Sequence, residues 1–337
     1  MRDLLAERVA RVPAGGSIDW VTYYFRDRRL AGELVAARRR GVAVRVTLEG
    51  RPRSRGANAA VIALLEEALG DGLRVVAAAT DGLPMGKALR PRLHEKLYCF
   101  SHPQPTAWVG SFNPSGDEPE LAPEVIRQIG DHDHAFNLLV ELCDEPLVAA
   151  LAAHARQLHS ARHGPFDRFG PAANRSLAVG DAGVHFWPRI APDPVNRLLF
   201  GLPSGSRVRL AASHLSGPTA RRVLTGIARS GVTLEILVDS THRRVPAAML
   251  RQLSEVGGVI RRIGQGESWI PMHDKFALVE TPTRRSAVFG SFNWSRPSRS
   301  FNREIGVVSG DAPLFAALAE RWEELGQHAS PAAPGSD

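Results

Sequence analysis

A chain of 337 residues, 44% of them hydrophobic, can bury one large core or two modest ones, which excludes a disordered tail or a disulfide-stapled miniprotein. Net charge is +7, a balance that suits an anionic partner such as nucleic acid, an acidic bilayer or a phosphate ester. No run approaches the roughly 18 apolar residues of a membrane-spanning helix, and Met1 to Val12 carries mixed charge with no apolar core. Neither secretion nor membrane insertion is therefore expected, and the location expected is cytoplasmic, peripheral on a membrane at most.

In chain order, Ile18 to Tyr24 reads as a short apolar strand. Leu30 to Arg40 has helical spacing and stops at Gly41, Val42 to Leu48 is a β-branched strand, and Ala59 to Leu69 is helical again. Tyr98 to Phe100 and Ala107 to Val109 read as strand pieces. Pro114 to His134, acidic and Pro-containing, reads as a surface loop, and Gly164 to Gly183 as a linker. Cys99 and Cys143 lack metal-ligand spacing and read as small buried hydrophobes in a reducing compartment. The exposed-looking runs Arg38 to Arg40 and Arg51 to Arg55 read as solvated faces or as sites for a phosphate backbone.

The same pattern then returns. Shifted by 190 positions, Pro13-Ala-Gly-Gly aligns with Pro203-Ser-Gly-Ser, Ile18 to Tyr24 with Val208 to His214, and Gly41 to Val46 with Gly231 to Ile236. Later landmarks keep their order at shorter offsets. His94 matches His273 at 179, Asn113 matches Asn293 at 180, and Asn137 to Leu147 matches Glu304 to Leu314 at 167. The chain is a duplication. We expect two modules, 1–163 and 184–330, joined by a linker at 164–183. Strands alternating with helices in each predict an α/β class of two α/β/α modules with mixed sheets.

Only three lysines occur among 42 basic residues, and two of them sit in matching triplets, His94-Glu95-Lys96 and His273-Asp274-Lys275. Each triplet is followed by the same tetrapeptide, Gly110-Ser111-Phe112-Asn113 and Gly290-Ser291-Phe292-Asn293. In a chain so rich in arginine, a retained lysine suggests a need for its compact ammonium. Imidazole, ammonium, hydroxyl and amide together make a pocket for a tetrahedral oxyanion such as phosphate. Two copies supply two imidazoles, one to attack phosphorus and one to protonate the departing alkoxide, with no cofactor and no metal assigned. Because one polypeptide carries both halves, a monomer with a composite site is expected.

These paired motifs resemble those of the phospholipase D superfamily, and the resemblance spans nearly the whole chain. It implies modules packed about a pseudo-twofold axis, a phosphohistidine intermediate and phosphodiester substrates. It also implies catalytic roles for His94, Lys96, Asn113, His273, Lys275 and Asn293. The family pattern places an acidic residue five positions after the lysine, where Glu280 stands in the second copy and Ser101 in the first. It further places a carboxylate about eleven residues after the asparagine to orient the histidine. Glu304 fits that place, and Asn137 is its counterpart in the first copy, with Glu124, Asp131 and Asp133 in the loop as substitutes.

Reading each orienting residue with the histidine of its own module, Glu304 stands behind His273 and makes it the nucleophile. His94, with an amide behind it, becomes the acid, whereas two-motif relatives more often attack with the N-terminal histidine. Ser111, Ser291, Tyr24, His214 and Trp294 are candidate substrate contacts, and Trp269 to Met272 is an apolar approach to His273. The substrate expected first is a phospholipid, handled by a phospholipase D or a cardiolipin synthase-like phosphatidyl transferase in contact with an anionic membrane. The alternatives are a nucleic-acid phosphodiesterase and a catalytically silent lipid- or nucleic-acid-binding module.

Overall fold

The structure, a computed structural model, describes all residues except 78–89, 117–134, 162, 164–166, 170–175, 190–191, 242–243, 265–269 and 333–337. The first module begins with helix α1 (Arg2–Ala10) and strand β1 (Ser17–Thr22), then α2 (Arg28–Arg39), β2 (Ala43–Glu49), α3 (Ala59–Leu69) and β3 (Leu73–Val76). Asp27 caps α2 by accepting the Leu30 amide at 2.9 Å. Strands β4 (Leu97–Phe100), β5 (Thr106–Gly110) and β6 (Leu139–Leu142) complete a six-stranded sheet in the order β3-β2-β1-β4-β5-β6. Helix α4 (Glu145–Ser160) follows, capped by Asp144 on the Leu147 amide with Pro146 in its first turn.

The second module repeats this plan. Strands β9 (Arg207–Ala212), β10 (Thr233–Asp239), β11 (Val259–Ile263), β12 (Lys275–Glu280), β13 (Arg285–Gly290) and β14 (Glu304–Ser309) take the order β11-β10-β9-β12-β13-β14, with the same sense at every pairing. Even the register is copied. Ser17 pairs with Ala43 and Arg207 with Thr233, both displaced by 190. This sheet reaches nine strands because β15 (Ala329–Pro331) joins β11 and a hairpin of β7 (Ser176–Val179) and β8 (Ala182–Trp187) joins β14. The expected linker thus contains strand β7, and β8 starts just inside its end.

Packing forms layers. The outer face of the first sheet is covered by α1, α2 and α3. That of the second is covered by α5 (Pro194–Phe200), α6 (Pro218–Arg229) and α7 (Ala247–Glu255), and the short helix α8 (Arg296–Ser300) follows β13. Between the sheets lie α4 and α9 (Ala312–Gln327), the latter capped by Asp311 as α4 is by Asp144. Leu151 and Leu158 of α4 share one buried cluster with Trp322 and Leu325 of α9, Leu97 and Val109 of the first sheet, and Phe276 and Phe289 of the second. Fusing the two inner faces into one core fixes the modules against each other, since separating them would expose that whole apolar surface to water.

The backbone itself joins the modules at two equivalent places. Leu93 forms a parallel bridge with Arg303, and Met272 with Phe136. In consequence the His94 amide donates to the Arg303 carbonyl and the His273 amide to the Phe136 carbonyl, each at 2.8 Å. Each histidine therefore stands beside the residue that precedes the other module's orienting position. The arrangement has pseudo-twofold symmetry.

Candidate active site

His94 lies three residues before β4, and Asn113 three residues after β5, the antiparallel neighbour of β4. His273 lies two residues before β12 and Asn293 three residues after β13, its antiparallel neighbour. The motif glycines permit this convergence. A Cβ on Gly110 would come within 2.1 Å of the Leu138 carbonyl, and one on Gly290 within 2.3 Å of that of Ile305, so only glycine allows the strands to close at the site.

Across the module boundary, His94 Nδ1 stands 2.8 Å from Glu304 Oε2, while His273 Nδ1 stands 2.9 Å from Asn137 Oδ1. This reverses the within-module pairing expected from the repeat. The physical reason is the pair of bridges, which aim residues 304 and 137 at the opposite histidine. The Asn137 Nδ2 donates to the Ala135 carbonyl at 3.2 Å, which turns its Oδ1 toward the imidazole and makes His273 Nδ1 the protonated nitrogen. Glu304, an acceptor on all sides, likewise calls for the Nδ1–H tautomer of His94. Both rings then present Nε2 as the unprotonated nitrogen.

Glu304 is fully buried and heavily bonded. Ser291 and Ser298 donate their hydroxyls to it at 2.6 Å each, and Asn302 Nδ2 adds a contact at 3.3 Å. Burial pushes its pKa upward, but the His94, Lys96 and Ser291 interactions outweigh this and hold it below the usual carboxylate value. In the first half, the Ser111 hydroxyl lies 3.4 Å from Asn137 Oδ1 and accepts the Leu138 amide at 2.8 Å. The two motif serines are thus engaged with Asn137 and Glu304. Ser298 and Asn302 escaped the sequence reading because they lack counterparts with matched spacing in the first copy.

Both lysines are buried, and each ammonium donates to the carbonyl of its own motif histidine, Lys96 at 2.8 Å and Lys275 at 2.7 Å. Their charges shape the imidazoles. Burial, countered by Glu304 and reinforced by Lys96 and Lys275, lowers the His94 pKa to about 4. His273, whose Nδ1 faces the Asn137 amide, is driven well below its ordinary value by burial and then by Lys275, Lys96, Arg244 and His94.

The intervening acids of the triplets point away from this centre. Glu95 Oε2 meets His154 Nε2 of α4 at 2.8 Å, and Asp274 pairs with Arg321 of α9 at 3.0 Å. These are equivalent contacts, since His154 and Arg321 are themselves 167 positions apart.

Other expected contacts fall differently. Tyr23, which the repeat does not single out, lies against the site, its ring 4.9 Å from that of His94 and 5.5 Å from Lys96 Nζ. Tyr24 packs on Tyr23 and offers its amide to Asn113 Oδ1 at 3.3 Å. His214 is half-buried beside the second motif, its carbonyl accepting the Trp294 amide at 3.0 Å. Trp294 belongs to the outer core of the second module, with the Arg299 guanidinium 4.8 Å over its ring, so it is a packing residue. Glu280 closes the far end of β12, about 16 Å along the strand from Lys275, and pairs there with Arg209 at 3.0 Å. It cannot orient a motif histidine. Trp269, Glu124, Asp131 and Asp133 lie outside the described residues, Ile270 is exposed, and Met272 is core. Among the described residues no cluster of three or more His, Cys, Asp or Glu could hold a metal ion, and no helix is long and apolar enough to cross a membrane.

A family model described as the cardiolipin synthase PLD-like domain matches residues 13–142 and 203–325, one block in each module. The chain belongs to this phospholipase D-like family. Mitochondrial cardiolipin hydrolase from Xenopus laevis is 26% identical over 138 residues, which are 41% of this chain and 63% of the hydrolase, so the chain spans less than two thirds of that relative. Phosphatidylserine synthase from Haemophilus influenzae Rd KW20 superposes with a TM-score of 0.64 at 12% identity, over 98% of this chain and 85% of its own. Polyphosphate kinase from Porphyromonas gingivalis gives 0.63 at 14% identity, over 96% of this chain and 47% of its own. Identities so low speak for the fold alone. For this phospholipase D-like chain they extend the shared architecture over both modules.

Proposed function

We propose that the chain is a phosphodiesterase or phosphatidyl transferase acting on phospholipids through a covalent phosphohistidine on His94. The observation that carries this reading is the facing pair of Nδ1-anchored imidazoles with two buried lysines. In the first step His94 Nε2 attacks phosphorus in line with the ester bond that breaks, and His273 gives its Nε2 proton to the leaving alkoxide. In the second, His273 takes a proton from water or an alcohol, whose oxygen attacks the phosphohistidine and frees His94. Lys96, Lys275, Asn113 and Asn293 would stabilise the charge on the phosphoryl oxygens.

Glu304 supports His94 as nucleophile, because a buried carboxylate stabilises the cationic phosphohistidine that an amide would not. The low pKa of free His273 is compatible with its role as acid. A bound phosphodiester brings negative charge between the lysines, offsets their effect and raises the imidazole toward protonation.

The family's description and the hydrolase's name favour a lipid. The test is a side-by-side assay on anionic and zwitterionic liposomes containing a primary alcohol, and on single- and double-stranded DNA. A lipid enzyme with this site yields phosphatidyl alcohol together with phosphatidic acid. Cleavage of DNA with no lipid product would replace the lipid reading with the nuclease one, for which the net charge of +7 and the exposed Arg51, Arg53 and Arg55 would serve the backbone.

A further inference from the structure

Behind His94 lies a second buried carboxylate that the chemistry above does not use. Glu49 closes β2 with 1% of its surface exposed. One oxygen accepts the Leu93 amide at 2.7 Å and the other the Arg51 amide at 2.8 Å. Leu93 precedes His94 and forms the bridge to Arg303, so Glu49 grips the histidine's segment from its own module while the other module grips it through Arg303 and Glu304. The Glu49 backbone is itself pinned, its carbonyl accepting Asn58 Nδ2 at 2.8 Å. That same amide nitrogen donates to the Tyr23 carbonyl at 2.8 Å.

The second module has the equivalent residue with a different charge balance. Asp239, 190 positions on, accepts the Met272 amide ahead of His273 at 3.1 Å, but on the same oxygen it also takes the buried Arg244 guanidinium at 3.0 Å. Glu49 is bonded through amides, with no comparable ion pair among the described contacts. Among the described residues, the charged and titratable groups facing it are Arg51 on the following loop, Arg92 on the His94 segment and Tyr23 at the end of β1.

We propose that Glu49 is a positioning residue for His94, a clasp that closes only when its carboxylate is ionised and thereby sets the acidic limb of activity. A protonated oxygen is a poor acceptor, and its proton would need a partner of its own, so protonation releases either Leu93 or Arg51. Release of Leu93 frees the segment that carries the nucleophile. Burial favours the neutral form and raises Glu49 to about 7, against the weaker pull of its amide donors and of Arg92 and Arg51. The free imidazoles titrate far below that value, so a limb near neutrality belongs to Glu49 and not to them.

This inference rests on the reading of His94 as a reacting group, and its test separates the two. With bis(4-nitrophenyl) phosphate as probe, the pH profile of kcat/KM in the wild type should bend downward below about 7, an acidic limb in which loss of the clasp offsets the gain from protonating His273, and Glu49→Gln should lower activity and abolish that limb. Arg51→Gln, which keeps the backbone amide that Glu49 accepts, should move the limb upward by roughly 0.3 to 0.5 pH unit by removing a nearby positive charge. Independently of turnover, the NMR signals of His94 in 15N-histidine-labelled wild type should show an inflection near pH 7 above its own titration, shifted upward in Arg51→Gln. A retained limb in folded Glu49→Gln, or a single low inflection for His94 unchanged by Arg51→Gln, would overturn the clasp. No turnover of any phosphodiester by the wild type would overturn the catalytic reading, and the NMR arm would then decide the clasp alone.

Discussion

Glu304 Oε2 reaches His94 Nδ1 at 2.8 Å from the opposite module, whereas the equivalent place behind His273 is filled by the Asn137 amide. The two half-sites therefore differ by one negative charge at Nδ1 of the imidazole. Glu304→Gln keeps an acceptor but removes the charge, and should lower kcat about 10² to 10³-fold. Asn137→Asp should cost less than about tenfold, because on the proposed roles it adds charge behind the acid His273 rather than removing it from the nucleophile His94. Steady-state kinetics with circular dichroism as a fold control would check the contrast. Equal losses in the two variants would contradict it.

In the proposed mechanism the two imidazoles act as a unit. His94→Ala and His273→Ala should each abolish phosphodiester cleavage, and the double variant should be no worse than either single one. Rapid acid quench of the wild type with 32P-labelled substrate should leave label on His94. Label on His273 would exchange the two roles.

The lowered imidazoles predict how anions bind. An anion between Lys96 and Lys275 offsets the charges that depress both rings, so the bound state holds a proton that the free state does not. Inorganic phosphate should therefore bind more tightly as pH falls from about 8 to 6, by up to about tenfold per unit for each proton taken up. Calorimetry in buffers of different ionisation enthalpy would show uptake of protons on binding. Release would refute the assignment.

Asp274 and Arg321 form a mostly buried pair that ties the second motif to α9. Burial raises the Asp274 pKa, and Arg321 works against that rise. Arg321→Met leaves the carboxylate uncompensated and should destabilise the fold at neutral pH by about 3 kcal/mol, the low end for a broken buried pair because Arg321 is partly exposed. A carboxyl whose folded pKa is raised is tolerated best below its unfolded value. The deficit should shrink as pH falls toward about 4 and reappear as it rises, as urea denaturation at several pH values would show.

Much of this architecture is legible in one dimension. Strand and helix patterns at 17–49 and 207–239 are encoded locally by apolar alternation and by glycine stops, and they recur at a fixed offset because the register itself is copied. The caps Asp144 and Asp311, each with proline two residues on, announce α4 and α9 in the same way. The paired His-x-Lys triplets and Gly-Ser-Phe-Asn tetrapeptides mark the site because local chemistry, not distant contact, dictates their composition.

What only the tertiary structure decided is which residue serves which histidine. A repeat aligns each position with its own copy and says nothing of contacts across a twofold axis, so Glu304 reads as the partner of His273 until the Leu93–Arg303 and Phe136–Met272 bridges are seen. Tyr23 and Tyr24 are likewise adjacent in sequence, and only the end of β1 against the His94 segment puts the ring of Tyr23 on the imidazole. Trp294 next to Asn293 invites a substrate contact, yet packing sends it into the outer core under Arg299. Sequence neighbours can face opposite ways and remote residues can meet, because side-chain direction is set by the strand and by what the opposing module leaves open.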